Sequence, residues 1–254
     1  MKERIKALLT REPSSEIVRA EGWVRTKRDS KNVCFLEIND GSCLKGLQAV
    51  IDKTSFNNNN LLDSISTGAA VSVEGTIVES LGGNQKVELA VTSLDLVGPC
   101  PNDYPLQKKR HTVEFLREQA YLRPRTNLFG AVTRVRNTMA FAVHQFFQEN
   151  GFVYVNTPLI TASDCEGAGE QFQVTTLDLN NVPRKEDGSV DYSKDFFGKL
   201  ANLTVSGQLE GETYAMAMKN IYTFGPTFRA EESNTSRHLA EFWMIEPEMA
   251  FCDL

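Results

Sequence analysis

"FGPTFRAEESNTSRHLAEFWMIEPEMAF", residues 224–251, holds two runs of strand character around a polar loop. In the first run Tyr222, Phe224, Pro226 and Phe228 fall on one face, and Thr223, Gly225, Thr227 and Arg229 on the other. Arg229 therefore stands on a face otherwise built of small residues, with room beside it for a ligand. In the second run Trp243, Ile245, Pro247, Met249 and Phe251 form an apolar face expected to be core. Phe242 shares the opposite face with Met244, Glu246, Glu248 and Ala250. An aromatic ring among carboxylates is explained if something stacks on it. An arginine and a stacking ring on adjacent strands suit a nucleotide, because the guanidinium grips phosphate through paired hydrogen bonds. A surface hairpin with ordinary salt bridges is the reading these residues leave open.

Upstream of the hairpin, "TNLFGAVTRVRNTMAFAVHQFFQENG" (126–151) repeats Val132, Val135, Met139, Val143, Phe146 and Phe147 at helical spacing, with Gly151 as the stop. His144 on this helix reads as a packed or solvated histidine. "FVYVNTPLI" (152–160) reads as a strand interrupted by Pro158, which removes a ladder donor and points to an edge or a subunit interface. Before residue 98 the pattern changes to short strands with turns, in the order β-β-β-α-β-β. That is the order of an OB-fold, a small barrel that often binds oligonucleotides. Parity places Leu36, Ile38, Leu47, Ala49 and Ile51 inside, and Phe35 and Gln48 outside near Arg25, Lys27 and Arg28. An outward aromatic beside basic residues is a way to stack and hold single-stranded bases; a lone surface phenylalanine fits the same residues. "GPCPNDYPLQKKRH" (98–111) reads as a linker. The expected division is 1–100 barrel, 101–125 hinge and 126–254 a second domain, an α+β chain overall.

The 254 residues carry a formal net charge of −6, which argues against bulk affinity for nucleic acid but leaves room for a local basic groove at "RTKRDSK" (25–31) or "KKR" (108–110). The five cysteines form no CxxC pair, so neither a zinc site nor a disulfide framework is indicated. No apolar run reaches the ~20 residues of a membrane helix, and the N-terminus lacks a signal-peptide pattern. The expectation is a soluble cytoplasmic protein.

"FRAEESNTSRHLAEFWMIEPE" (228–248) closely resembles motif 2 of the class II aminoacyl-tRNA synthetases, in its asparaginyl form. "ENGFVYVNTPLIT" (149–161) resembles motif 1, with Pro158 as its dimer-interface proline. "GWVRTKRDS" and "RHTVEFLREQAYLRPRT" resemble the anticodon-binding barrel and hinge of the aspartate–asparagine–lysine subgroup. The resemblance implies an OB-fold followed by the first part of an antiparallel-sheet catalytic domain. It also implies a homodimer, with ATP, asparagine and tRNA(Asn) as partners and an asparaginyl-adenylate as intermediate. Carried over by position, Arg229 and Glu231 serve catalysis and ATP binding, Phe242 stacks the adenine, and Arg237 and His238 meet the terminal phosphates or the acceptor end. Arg28, Phe35 and Gln48 fall on the anticodon-reading positions.

"TVSGQLEGETYAMAM" (204–218) aligns with the amino-acid pocket of that family. Gln208 matches a substrate-holding residue, and Glu212 stands where a negative charge accepts from a carboxamide and repels aspartate; Glu210 lies close enough to compete for that assignment. Glu166, in "SDCEGAGEQF" (163–172), matches a loop that closes over the amino acid. Nothing matches the family's glycine-rich third motif or its magnesium-holding acids. The resemblance therefore implies a longer synthetase of which this is the N-terminal portion, with Mg2+ ligands beyond Leu254. An aspartate-type ligase and a non-catalytic tRNA-binding module remain the alternatives.

Overall fold

The structure, a computed structural model, describes residues 3–83, 85–164, 171–232, 235 and 238–252. The chain divides into two compact units, Met1–Arg136 and Asn137–Leu254.

The first unit opens with α1 (Ile5–Leu8), followed by β1 (Ile17–Asp29), β2 (Val33–Asn39), β3 (Leu47–Asp52), α2 (Asn59–Asp63), β4 (Ala70–Glu79) and β5 (Val87–Gly98). The five strands close a barrel in the order β1-β2-β3-β5-β4. All neighbours are antiparallel except β3 and β5, whose parallel pairing of Ala49 with Leu89 shuts the ring. The expected OB-fold order is present, with α1 as an addition whose Ile5 and Leu8 enter the core. Leu36, Ile38, Leu47, Ala49 and Ile51 are fully buried, as their alternation predicts.

Register shifts let these strands curve. On β4 a register shift falls between Glu74 and Gly75, where a Cβ would lie 2.0 Å from the Ala90 carbonyl oxygen, so only glycine fits. On β1, Val24 pairs with Ile38 and Thr26 with Glu37, which leaves Arg25 as the extra residue of a β-bulge. Past the barrel, the proline-rich stretch is more than bare linker. It carries α3 (Val113–Glu118), capped by the Thr112 hydroxyl, which accepts from the Phe115 amide. Leu106, Leu116 and Leu122 form a small core of their own there. The division at 136–137 falls within α4 (Asn127–Glu149).

The second unit contains β6 (Val153–Tyr154), β7 (Ile160–Thr161), β8 (Gln173–Val174), β9 (Ala201–Leu203), α5 (Gln208–Met218), β10 (Asn220–Phe228) and β11 (Glu241–Met249). Its sheets are ordered β11-β10-β6 and β7-β9-β8. Pro158 does not lie inside a strand: β6 ends at Tyr154, β7 begins at Ile160, and Pro158 is exposed between them. A residue without an N–H ends the pairing rather than continuing it. The hairpin parity holds, with Thr223 opposite Glu246 and Thr227 opposite Phe242. The burial expected for β11 does not. Trp243, Ile245 and Met249 are 49%, 49% and 48% exposed, and the face bearing Phe242, Glu246 and Glu248 is the more buried one. The helix on that apolar side, α4, covers β10 instead. Its Phe147 stacks on fully buried Tyr222 with centroids 4.6 Å apart, and His144 Nδ1 lies 2.7 Å from the Tyr222 hydroxyl.

Candidate nucleotide site and nucleic-acid interface

On the outside of the barrel, β1 and β2 place Arg28 opposite Phe35, and the guanidinium carbon lies 5.1 Å from the ring centroid. Arg28 Nη2 donates to Gln48 Oε1 at 3.1 Å. Gln48 Nε2 donates to Glu88 Oε2 at 3.0 Å, and the Ser80 hydroxyl donates to the same oxygen at 3.1 Å. The three residues expected at this face are therefore together. Glu88, which sequence reasoning missed, completes them. Its outward parity in "KVELAV" was the available signal, but its neighbour depends on the parallel β3–β5 pairing between distant segments. A cation held over a ring, beside an amide of fixed orientation, can stack one base and hydrogen-bond another.

In the second unit the hairpin forms an open floor. Arg229 follows β10 directly, its amide donating to the Ala240 carbonyl at 3.0 Å, and its guanidinium carbon lies 5.6 Å from the Phe242 ring centroid. Nothing lies within 4 Å of a Cβ built on Gly225, so the strand surface at Gly225, on the Arg229 face, is open among the described residues. Glu231 and His238 are exposed on the connecting loop; Arg237 lies outside the described residues. A forked cation beside an aromatic face fits a phosphate and a planar base.

One end of the floor is closed by the N-terminus of α5. Gln208 Nε2 donates to Glu212 Oε1 at 3.0 Å, so these two expected pocket residues are joined. Glu210 turns elsewhere and accepts from the Thr161 hydroxyl at 3.3 Å. Glu166 lies outside the described residues.

Glu246, missed from the sequence, organises this end. It accepts from the Ser206 hydroxyl, the Gly207 amide at 3.2 Å and the Thr223 hydroxyl at 2.8 Å. A carboxylate at a helix N-terminus meets the helix dipole favourably. Gly207 is required there, since a Cβ would lie 2.8 Å from the Thr157 hydroxyl. Nearby, burial first, then the charges of Glu212 and Glu246, push the Glu248 carboxyl above its ordinary pKa. No three His, Cys, Asp or Glu side chains among the described residues are grouped to hold a metal ion. No helix among them is long and apolar enough to cross a membrane.

Fold and site together define a two-part protein: an OB-fold of the nucleic-acid-binding kind, followed by a sheet of the class II synthetase type. The family model described as "OB-fold nucleic acid binding domain" matches residues 18–97, and "tRNA synthetases class II (D, K and N)" matches 112–254. The chain belongs to the class II tRNA synthetases of the D, K and N type.

Similar curated proteins include the asparagine–tRNA ligase of Synechocystis sp., 60% identical over 254 residues, covering all of this chain and 55% of the relative. That of Acetivibrio thermocellus is 62% identical over 239 residues, covering 94% and 51%. The chain thus spans about half the length of the curated relatives it matches. Among solved structures, asparaginyl-tRNA synthetase from Pyrococcus horikoshii complexed with asparaginyl-adenylate aligns with a TM-score of 0.82 at 24% identity. It covers all of this chain and 54% of that one, a likeness of fold.

Proposed function

We propose that this chain carries the anticodon-reading and adenylate-forming parts of an asparagine–tRNA ligase. The observation that carries the reading is Arg229 beside Phe242 over an open floor, with the Gln208–Glu212 pair at its end. In the reaction, an asparagine carboxylate oxygen attacks the α-phosphorus of ATP and pyrophosphate leaves with the bonding pair. The 3′-terminal hydroxyl of tRNA(Asn) then attacks the acyl carbon and AMP leaves. Arg229 donates to the α-phosphate oxygens as charge accumulates on them, which is electrostatic stabilisation without a covalent intermediate on the protein. Phe242 takes the adenine face, and Glu231 serves the ATP site. Glu212 accepts from the carboxamide N–H of asparagine and repels the carboxylate of aspartate. Arg28, Phe35 and Gln48 meet the anticodon. Arg237, His238 and Glu166 keep their family-assigned places at the ATP and amino-acid ends.

Bound Mg2+ supplies charge neutralisation on the triphosphate in this class of reaction. The described residues offer it no ligand set, so no step is assigned to it. The reading takes 1–100 as the anticodon barrel, 101–125 as hinge and 126–254 as catalytic-domain sequence, in a cytoplasmic protein of translation. A homodimer through the Pro158 region is part of it, supported by the exposed apolar residues of α4, Val135 at 62% and Met139 at 58%.

ATP–pyrophosphate exchange tests the proposal. An enzyme carrying these residues at the full length of the curated relatives is expected to exchange with asparagine and not with aspartate. Arg229→Ala is expected to lower exchange by about 10²–10³-fold. Exchange that is independent of asparagine, or unaffected by Arg229→Ala, overturns it.

A further inference from the structure

The end of the floor where the Gln208–Glu212 pair stands gathers carboxyl groups without a matching cation. Glu246 and Glu248 share one face of β11, opposite Thr223 and Ile221 of β10. Glu212 comes from α5, and a Cβ built on its neighbour Gly211 would lie 4.0 Å from Cγ of Glu248. Glu248 therefore packs against the turn of α5 that carries Glu212. The other titratable groups of these elements are engaged or distant. Glu210 accepts from the Thr161 hydroxyl, Tyr222 is buried against His144, and Glu241 stands at the far end of β11 opposite Phe228. Lys219, between α5 and β10, is exposed, and α5, β10 and β11 contain no basic residue.

The three carboxyl groups are not equivalent. Glu246 accepts from the Ser206 hydroxyl, the Gly207 amide and the Thr223 hydroxyl, and Glu212 accepts from the Gln208 side chain. Such hydrogen bonds favour the ionised form. Glu248 is half-buried and accepts no hydrogen bond among the described residues. Burial, then the charges of Glu212 and Glu246, disfavour its ionised form. Where neighbouring carboxyl groups compete in this way, a proton is retained by the one whose charge is least supported. Asparagine alters that balance. In the proposed reaction its carboxylate goes to the α-phosphorus and its carboxamide to Glu212, and the group left over is its α-ammonium. A cation beside a carboxyl group favours the ionised form.

We infer that Glu248 keeps a proton while the pocket is empty and releases it to solvent when the ammonium of asparagine arrives, so that capture of the amino acid is coupled to proton release. The O–H bond of Glu248 breaks, the bonding pair stays on the carboxylate oxygen, and the new charge faces the ammonium. The inference rests on the asparagine reading given above and deepens it. Affinity for asparagine then rises with pH until the free pocket has lost the proton, and is level above that point.

The test is isothermal titration calorimetry of asparagine, without ATP, into an enzyme carrying these residues at the full length of the curated relatives. Each titration is run at one pH in two buffers of different ionisation enthalpy, and the difference in heat counts the protons released. Release of up to about one proton per asparagine is expected on the acid side, fading as pH rises. In pyrophosphate exchange, KM for asparagine is expected to fall by up to about tenfold per pH unit over the same interval. Glu248→Gln cannot ionise, and is expected to bind asparagine without proton release and with a flat KM profile. Glu248→Ala is expected to behave alike. Binding with no buffer-dependent heat in the unsubstituted enzyme overturns the inference, and so does release that persists in both variants. Failure of the asparagine reading is distinct: the unsubstituted enzyme then shows neither binding heat nor exchange with asparagine at any pH, and both readings fall.

Discussion

Glu246 gathers donors from both sides of the candidate amino-acid pocket: Ser206 and Gly207 ahead of α5, and Thr223 on β10, the central strand of its sheet. The carboxylate thereby fixes the first turn of α5, and with it Gln208 and Glu212, relative to the strand that leads to Arg229. Glu246→Ala leaves these donors facing a void, and a loss of about 1–3 kcal/mol in stability is expected from denaturant titration of the second unit. In the proposed reading, Glu212 is the residue on which selectivity turns. Glu212→Lys is expected to lower the asparagine-over-aspartate ratio of pyrophosphate exchange by about 10²-fold or more, with an unchanged ratio moving the discrimination elsewhere. Glu248 has a raised pKa in the folded protein, so its neutral form is favoured there. Its contribution is most favourable at low pH and declines as pH rises from the unfolded value through the folded one. Glu248→Gln is therefore expected to raise the melting temperature at pH 7, with the gain shrinking toward pH 4 in calorimetry.

At the scale of elements, alternation alone separated the two faces of the hairpin correctly, and it identified the residues that meet at Arg229 and Phe242. It could not say which face would be covered. An apolar row such as Trp243, Ile245 and Met249 reads as core in any strand. Whether it is core depends on where a helix 100 residues earlier comes to rest, and α4 rests on Tyr222. The bulge at Arg25 was equally unreadable, since only pairing against Ile38 and Glu37 reveals an extra residue. The glycine at 75 carries a sharper expectation. Gly75→Ala drives a methyl into the Ala90 carbonyl and is expected to destabilise the barrel by about 1–3 kcal/mol, read as an earlier unfolding transition of the first unit. For α4, Val135→Lys with Met139→Lys is expected to shift the mass measured by light scattering from dimer to monomer; an unchanged mass would move the interface off this helix.

Across the whole molecule, the sequence was most legible where short-range pattern decides the outcome: strand order in the barrel, its inward leucines and isoleucines, and the long helix ending at Gly151. It was least legible where distant segments meet. Glu246 and Glu88 both act through partners brought from far along the chain, and neither stood out. Glu88 has a consequence of its own. A glutamine amide carries a donor and an acceptor of almost equal size, and a freely turning one satisfies opposite hydrogen-bonding patterns with equal ease. Gln48 is not free to turn: its oxygen faces Arg28 and its nitrogen faces Glu88. In the proposed anticodon reading, the pair acts as a polarity setting that removes the ambiguity before any RNA arrives. Glu88→Ala is therefore expected to blur the distinction between matched and mismatched anticodon bases while affinity for the matched stem-loop changes little. A recognition surface can in this way lose its alphabet without losing its grip.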